Sequence, residues 1–99
     1  MLQQSIGSGA FDDCKSLRSV EIPPDSITAI GDYALCGCGA LEWIEIPDGV
    51  MTIGDYTFCG CTALASVKVP DSVKNVGRDA FKSCTTLKSV KIPDGVTMI

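Results

Sequence analysis

The sequence predicts a solenoid of stacked repeats in which each repeat contributes one short parallel strand. Three observations predict it: a 23-residue period, an alternating strand motif in every copy, and a proline after each motif. The period is marked by Cys14, Cys38, Cys61 and Cys84, each followed three positions later by Leu17, Leu41, Leu64 or Leu87. A unit of this size cannot bury its own apolar face, so stacking on the next copy is expected.

The strand motif is Leu-x-x-Val-x-Ile, whose last two apolar positions alternate with polar ones. This alternation of β-branched residues is typical of a strand with one buried face. The motif ends at Ile22, Ile46, Val69 and Ile92, and a proline follows each of them. Proline has no backbone N–H to donate to a sheet, so it ends the strand, and the Pro-Asp pair turns the chain.

The second half of each repeat predicts an extended segment and a tight turn. A Val-x-x-Ile segment ends at Ile30, Ile53, Val76 or Ile99 and is expected to run back along the other side. The Ala-Phe step that follows predicts a short helical or 3₁₀ turn, because five residues cannot hold a longer helix. We therefore expect a single domain over residues 1–99, with four repeats at about 6–29, 30–52, 53–75 and 76–99.

The combined pattern Ile-Gly-Asp-Tyr-x-Phe/Leu-Cys-Gly-Cys-x-x-Leu-x-x-Ile-x-Ile-Pro-Asp-x-Val resembles the BspA-type leucine-rich repeat over residues 6–99. The resemblance implies a right-handed solenoid with a parallel sheet on the concave side and extended segments on the convex side. It also implies an adhesion or protein-interaction module, found mostly in secreted or surface-anchored proteins. It supplies no catalytic residues.

Candidate partner-binding residues lie at the polar positions of the strand motif, which face solvent on the concave surface. One column comprises Ser19, Trp43, Ser66 and Ser89, and a second comprises Glu21, Glu45, Lys68 and Lys91. Arg18, Glu42, Ala65 and Lys88 precede them. The predicted contacts are Trp43, Arg18, Glu21, Glu42, Glu45, Lys68, Lys88 and Lys91. Trp43 is interpreted either as an anchor for a partner or as a ring lying over its neighbours without a ligand.

Charge is sorted along the chain, and the net charge is −4. The repeats carry −2 over residues 6–29, −4 over 30–52, 0 over 53–75 and +2 over 76–99. Glu45 is expected to pair with Lys68, whereas Glu21 beside Glu45 places like charges together, which costs stability. The pattern indicates a bipolar ligand surface, head-to-tail docking of copies, or an ordinary solvated face.

The six cysteines fall into two columns. Cys14, Cys38, Cys61 and Cys84 are expected to be small buried core residues. Cys36 and Cys59 lie on adjacent repeats and are a candidate disulfide pair, because neighbouring rungs bring Cα atoms about 5 Å apart. Two Cys-Gly-Cys pairs also supply four thiols for zinc, but a spacing of one residue is below the usual two to four. No metal site is therefore predicted.

Composition argues against several functional classes. The chain contains no histidine, which removes the commonest general base and metal ligand. No Ser-x-x-Lys or Gly-x-Ser-x-Gly motif is present. We predict no enzyme activity and no cofactor. The acidic balance disfavours nucleic acid, and no apolar run is long enough for membrane insertion.

The two ends of the repeat array carry no polar cap of the kind that terminal repeats usually have. The chain is therefore expected to be a segment of a longer array or to oligomerise through its solenoid ends. Its first residues lack a basic start and an apolar run, so no signal peptide is expected. The family resemblance implies a secreted or surface location if the chain is a fragment. The functional alternatives are a partner-binding module and a self-assembly element that stacks end to end.

Overall fold

The computed structural model describes residues 5–88, 90–93 and 96, and across these residues the chain forms two parallel sheets. The strands are β1 (Ser5–Ile6), β2 (Ser19–Val20), β3 (Ala29–Ile30), β4 (Trp43–Glu45), β5 (Thr52–Ile53), β6 (Ser66–Lys68) and β7 (Asn75–Val76). Strands β2, β4 and β6 form what we call the motif sheet, because they derive from the Leu-x-x-Val-x-Ile motif. Strands β1, β3, β5 and β7 form the return sheet. The first three rungs each contribute a strand to both sheets, and among the described residues the fourth rung contributes only β7, to the return sheet.

The sequence predicts one strand per repeat, with an extended segment on the opposite side of the solenoid. In the structure, the extended segments pair with one another and form a second sheet, the return sheet. Ile6, Ile30, Ile53 and Val76 occupy successive positions in register across it. Because each extended segment lies beside its copy in the next rung, their backbone groups can pair as in any parallel sheet. Each of these strands has only two residues. A two-residue strand is too short to show an alternating pattern in the sequence.

The expected helical turns are instead non-helical hydrogen-bonded turns, and no residue in the described part of the chain is helical. Accordingly, no helix among these residues could cross a membrane. The cause is visible in residues 33–38, where successive N–H groups donate alternately within the turn and to the next rung. Cys36 N–H donates to Tyr33 O (3.2 Å), whereas Leu35 N–H donates to Thr57 O (2.9 Å) and Gly37 N–H donates to Cys59 O (2.7 Å). In a helix, every backbone N–H group would donate to a carbonyl group within the same segment, and none would be left to bond to the next rung.

These turns need a left-handed backbone at a fixed position in each rung. Tyr33 and Tyr56 occupy it with φ of 60° and 58°, and Gly9 and Asp79 hold the equivalent position in the outer rungs. Such a conformation is unfavourable for a bulky side chain. The two tyrosine rings stack with centroids 5.1 Å apart and planes 8° apart. The stack lies at the surface, because Tyr33 is 46% exposed.

The core lies between the two sheets and the turns. Its fully buried side chains include Leu35, Leu41, Ile44, Phe58 and Leu64. Thr57 is a buried polar residue of this core, and its Oγ1 donates to Gly54 O at 2.7 Å. The apolar positions of the motif thus face inward as the alternation predicts.

A glycine at the start of each turn allows neighbouring rungs to approach closely. A Cβ added to Gly54 would lie 2.6 Å from Asp32 N, and one added to Gly31 would lie 2.6 Å from Ser8 N. The following aspartates hold the rungs together, since Asp32 Oδ1 accepts a hydrogen bond from Asp55 N–H at 2.8 Å. Asp55 Oδ1 accepts one from Arg78 N–H at the same distance. These contacts explain the glycines that begin the turns of the second, third and fourth rungs, Gly31, Gly54 and Gly77.

Candidate functional site: the strand–turn groove

The outer face of the motif sheet carries the predicted polar columns. Strand register places Trp43 between Ser19 and Ser66, and Glu45 beside Lys68. Trp43 is 45% exposed, as its place in the column predicts. Its neighbours on both adjacent rungs are serines, whose small side chains cannot cover an indole ring. Ser89, the fourth member of this column, lies outside the described residues.

A groove of about 730 Å³ runs along this face between the strands and the Pro-Asp turns. We call it the strand–turn groove, and its polar and aromatic lining consists of Glu21, Trp43, Glu45, Asp48, Lys68 and Asp71. Pro23, Pro24, Pro47 and Pro70 form its turn side. A concave volume of this size falls in the range of ordinary ligand sites. The groove spans three rungs, so stacking creates a surface that no single repeat has.

The groove is predominantly acidic. Four carboxylates line it, against the single ammonium group of Lys68. The ion pair expected between Glu45 and Lys68 is present, with Nζ 3.6 Å from Oε2 and with both side chains largely exposed. An exposed pair of this kind is worth at most about 1 kcal/mol. A partner's charged groups can therefore replace this ion pair at little cost in free energy.

The remaining predicted contacts lie outside the groove lining. Arg18 and Glu42 are exposed and precede the motif strands, where Glu42 N–H donates to Arg18 O at 3.0 Å. Lys88 and Lys91 are exposed on the fourth rung. The structure thus brings Glu21, Trp43, Glu45 and Lys68 together and does not bring the other four predicted residues to the same groove.

Asp48 and Asp71 line the groove but are not among the contacts predicted from the sequence. Both follow the proline that ends a motif strand, and the Pro-Asp pair was interpreted only as turn chemistry. The signal was available, because a turn after each strand must lie at the edge of the sheet that the strands form. The repeat then stacks these edge aspartates in a row, as it does the strand residues.

The cysteine column before each leucine is structural and also forms hydrogen bonds between rungs. Cys38 Sγ donates to Phe11 O, Cys61 Sγ to Leu35 O and Cys84 Sγ to Phe58 O, each at 3.1 Å. Cys38 and Cys61 are buried, as predicted, while Cys14 and Cys84 in the outer rungs are half-buried. Burial is the main cause that raises the pKa of Cys61 to about 12. The sequence pattern indicates only small apolar groups at these positions and does not reveal that the thiols donate hydrogen bonds.

Cys36 and Cys59 are free thiols on adjacent rungs rather than a formed disulfide. The pKa of the Cys36 thiol is raised to about 11, first by desolvation and then by the neighbouring Cys59 thiol. Within the described ranges, no group of three or more Cys, Asp or Glu side chains could hold a metal ion. Nothing in this part of the chain therefore supplies a zinc site from the two Cys-Gly-Cys pairs.

Two solved structures of leucine-rich repeat proteins closely match this chain. A leucine-rich repeat protein from T. pallidum has a TM-score of 0.89 and 38% identity, over 94% of this chain and 43% of its own. A leucine-rich repeat protein from Bacteroides ovatus ATCC 8483 has a TM-score of 0.83 and 43% identity, over 94% of this chain and 24% of its own. The chain thus spans less than half of the length of either protein. No curated protein sequence matches it significantly.

A family model described as a BspA type leucine rich repeat region of 6 copies matches residues 3–99. The copy number of the model differs from the four repeats counted along this chain, so that count is not confirmed by the match. The match nevertheless covers almost every residue, and the solved relatives share the parallel-strand architecture. This chain belongs to the BspA-type leucine-rich repeat family.

Proposed function

We propose that this chain is a non-catalytic protein-interaction or adhesion module, a single domain of four repeats that binds its partner in the strand–turn groove. The observation that carries the proposal is Trp43, 45% exposed and lining a groove of about 730 Å³. Tryptophan is enriched among the residues that dominate binding energy at protein interfaces. The non-catalytic role is supported by the absence of histidine from the whole sequence.

The charge of the groove favours a partner segment that carries arginine or lysine. Trp43 offers an aromatic face to a cation, which is worth about 0.5–2 kcal/mol. Glu21 and Glu45 line the same groove and can accept charge-assisted hydrogen bonds from a guanidinium group. For a larger partner, Arg18, Glu42, Lys88 and Lys91 extend the contact surface beyond the groove.

The test uses a random-peptide display library selected on the immobilised chain, with counter-selection on Trp43→Ser. Serine occupies the other positions of the Trp43 column. The free energy of unfolding of this variant should therefore lie within about 0.5 kcal/mol of the wild-type value. We expect selected peptides to be enriched in arginine and lysine, to shift the fluorescence of the single tryptophan, and to bind Trp43→Ser at least about tenfold more weakly.

Met51→Ser is the matched control, because Met51 is 51% exposed and does not line the groove. This variant should bind the selected peptides as the wild type does. Peptides that bind the wild type and Trp43→Ser equally, or that depend on Met51, would contradict the proposal.

A second candidate function, end-to-end self-assembly, is favoured by a separate observation. An apolar groove of about 350 Å³ lies at the fourth rung, lined in part by Val76, Phe81, Ile92 and Val96. The rungs near one end are acidic and the last repeat carries +2, which suits head-to-tail contact between copies. Light scattering after size exclusion should then show oligomers that Ile92→Lys dissociates and Trp43→Ser does not. A monomer at every concentration excludes this function.

A further inference from the structure

We propose that Cys36 and Cys59 form an oxidisable dithiol that links the second and third rungs by a reversible disulfide. The two residues occupy the same position in consecutive turns, since Cys36 N–H donates to Tyr33 O and Cys59 N–H to Tyr56 O. Gly37 N–H donates to Cys59 O at 2.7 Å, so the two backbones are direct neighbours. Adjacent parallel backbones lie about 4.8 Å apart. That spacing falls within the Cα separation that a disulfide bridges.

Because the two residues hold the same position on adjacent rungs, their side chains leave neighbouring backbones in the same direction. Both residues are half-buried, so a small oxidant can reach them. The equivalent positions in the outer rungs are Asp12 and Lys82, which confines the dithiol to the central pair. The thiols of Cys38, Cys61 and Cys84 instead donate to backbone carbonyls of the preceding rung.

The proposed oxidant is a small disulfide such as oxidised glutathione. The thiolate of one cysteine attacks the small disulfide, forming a mixed disulfide and releasing one glutathione thiolate. The neighbouring thiolate then attacks the protein sulfur of that mixed disulfide, which forms the Cys36–Cys59 bond and releases the second glutathione thiolate. Two protein thiols are oxidised, one small disulfide is reduced to two thiols, and the two protons pass to the released thiolates.

The surroundings of Cys36 and Cys59 determine how fast the disulfide forms, and their positions determine how it affects stability. Desolvation and the neighbouring thiol raise the pKa of Cys36 to about 11, so little of its thiolate is present at neutral pH. Because only the thiolate reacts, closure should accelerate as the pH rises above neutrality. The bond would close a loop across one repeat and reduce the conformational freedom of the unfolded chain. Neither cysteine lines the strand–turn groove, so this function is independent of partner binding.

The experiment treats the folded chain with oxidised glutathione, quenches with acid, and counts thiols after unfolding. The wild type should fall from six thiols to four, with a mass loss of two hydrogen atoms and no retained glutathione. Its thermal midpoint should rise by about 10 °C and return to the starting value with dithiothreitol.

Cys36→Ser and Cys59→Ser should form no intramolecular disulfide, so neither should show the mass loss of two hydrogen atoms. Cys84→Ala is the control and should still show that mass loss. The proposal is overturned if the wild type keeps six thiols or retains glutathione without closure. It is also overturned if Cys36→Ser still forms an intramolecular disulfide.

Discussion

The central and outer rungs carry the same motif but bury it to different extents. Leu35 and Phe58, in the two central turns, are 0% exposed. Phe11 and Phe81, at the equivalent position of the outer rungs, are only half-buried. The residue type is nearly the same, so the difference comes from having a neighbouring rung on both sides rather than on one. Stability in such a fold depends on rung-to-rung interfaces more than on any single repeat.

The largest expected effect is on the aromatic column of the turns. Phe58→Ala should lower the free energy of unfolding by about 3–5 kcal/mol, because it leaves a cavity in a fully buried position. It also removes the stack with Phe81, whose ring centroid lies 5.3 Å away. Phe11→Ala, the matched control, should cost about 1–2 kcal/mol, since part of its ring already contacts solvent. Urea unfolding measures both, and equal losses would show that the rungs are equivalent.

The glycine at the start of the turn should show the next largest effect. Gly54→Ala places a Cβ 2.6 Å from Asp32 N and should cost about 1–3 kcal/mol, because two backbones must separate. Gly7 holds the same position in the first rung, and nothing among the described residues lies within 4 Å of a Cβ built there. Gly7→Ala should therefore change stability by less than about 0.5 kcal/mol. A comparable loss for both variants would mean that the glycine is needed for backbone conformation rather than for close approach.

The smallest effect concerns the buried thiol of Cys61 and its dependence on pH. Cys61→Ala should cost about 1 kcal/mol near neutral pH, because it removes the hydrogen bond to Leu35 O. The pKa of Cys61 is raised from 9.0 to about 12. Its contribution is therefore fully present below pH 9 and lost as the pH rises toward 12.

Urea unfolding of the wild type and Cys61→Ala at pH 7, 9 and 10.5 measures this dependence. The stability difference between the two chains should shrink over that range. Cys14→Ala, at the half-buried equivalent position, is the control and should cost less at pH 7. A difference that grows with pH would contradict the assignment of the shift to burial.

Much of the fold and part of the site could be predicted from the sequence. The motif strand around Ile44 and the exposure of Trp43 followed from an alternating pattern, and the Glu45–Lys68 pair followed from the period. The return strands could not be recognised, because two residues carry no periodicity. The predicted helical or 3₁₀ turns are not confirmed, because local propensity does not reveal that alternate N–H groups bond to the next rung. The contribution of Asp48 and Asp71 to the strand–turn groove was not predicted, because a turn motif does not by itself show which surface the turn borders.

The sequence by itself determined the register of this protein. A fixed period specifies which residues share a column and which apolar positions face inward, because every copy repeats the same backbone path. Only the tertiary structure decided how deeply each copy is buried, how the strand–turn groove is formed, and which thiols donate hydrogen bonds to the preceding rung. These properties arise between rungs, and a pattern within one rung cannot specify the distance, exposure or hydrogen bonding that the neighbouring rung imposes.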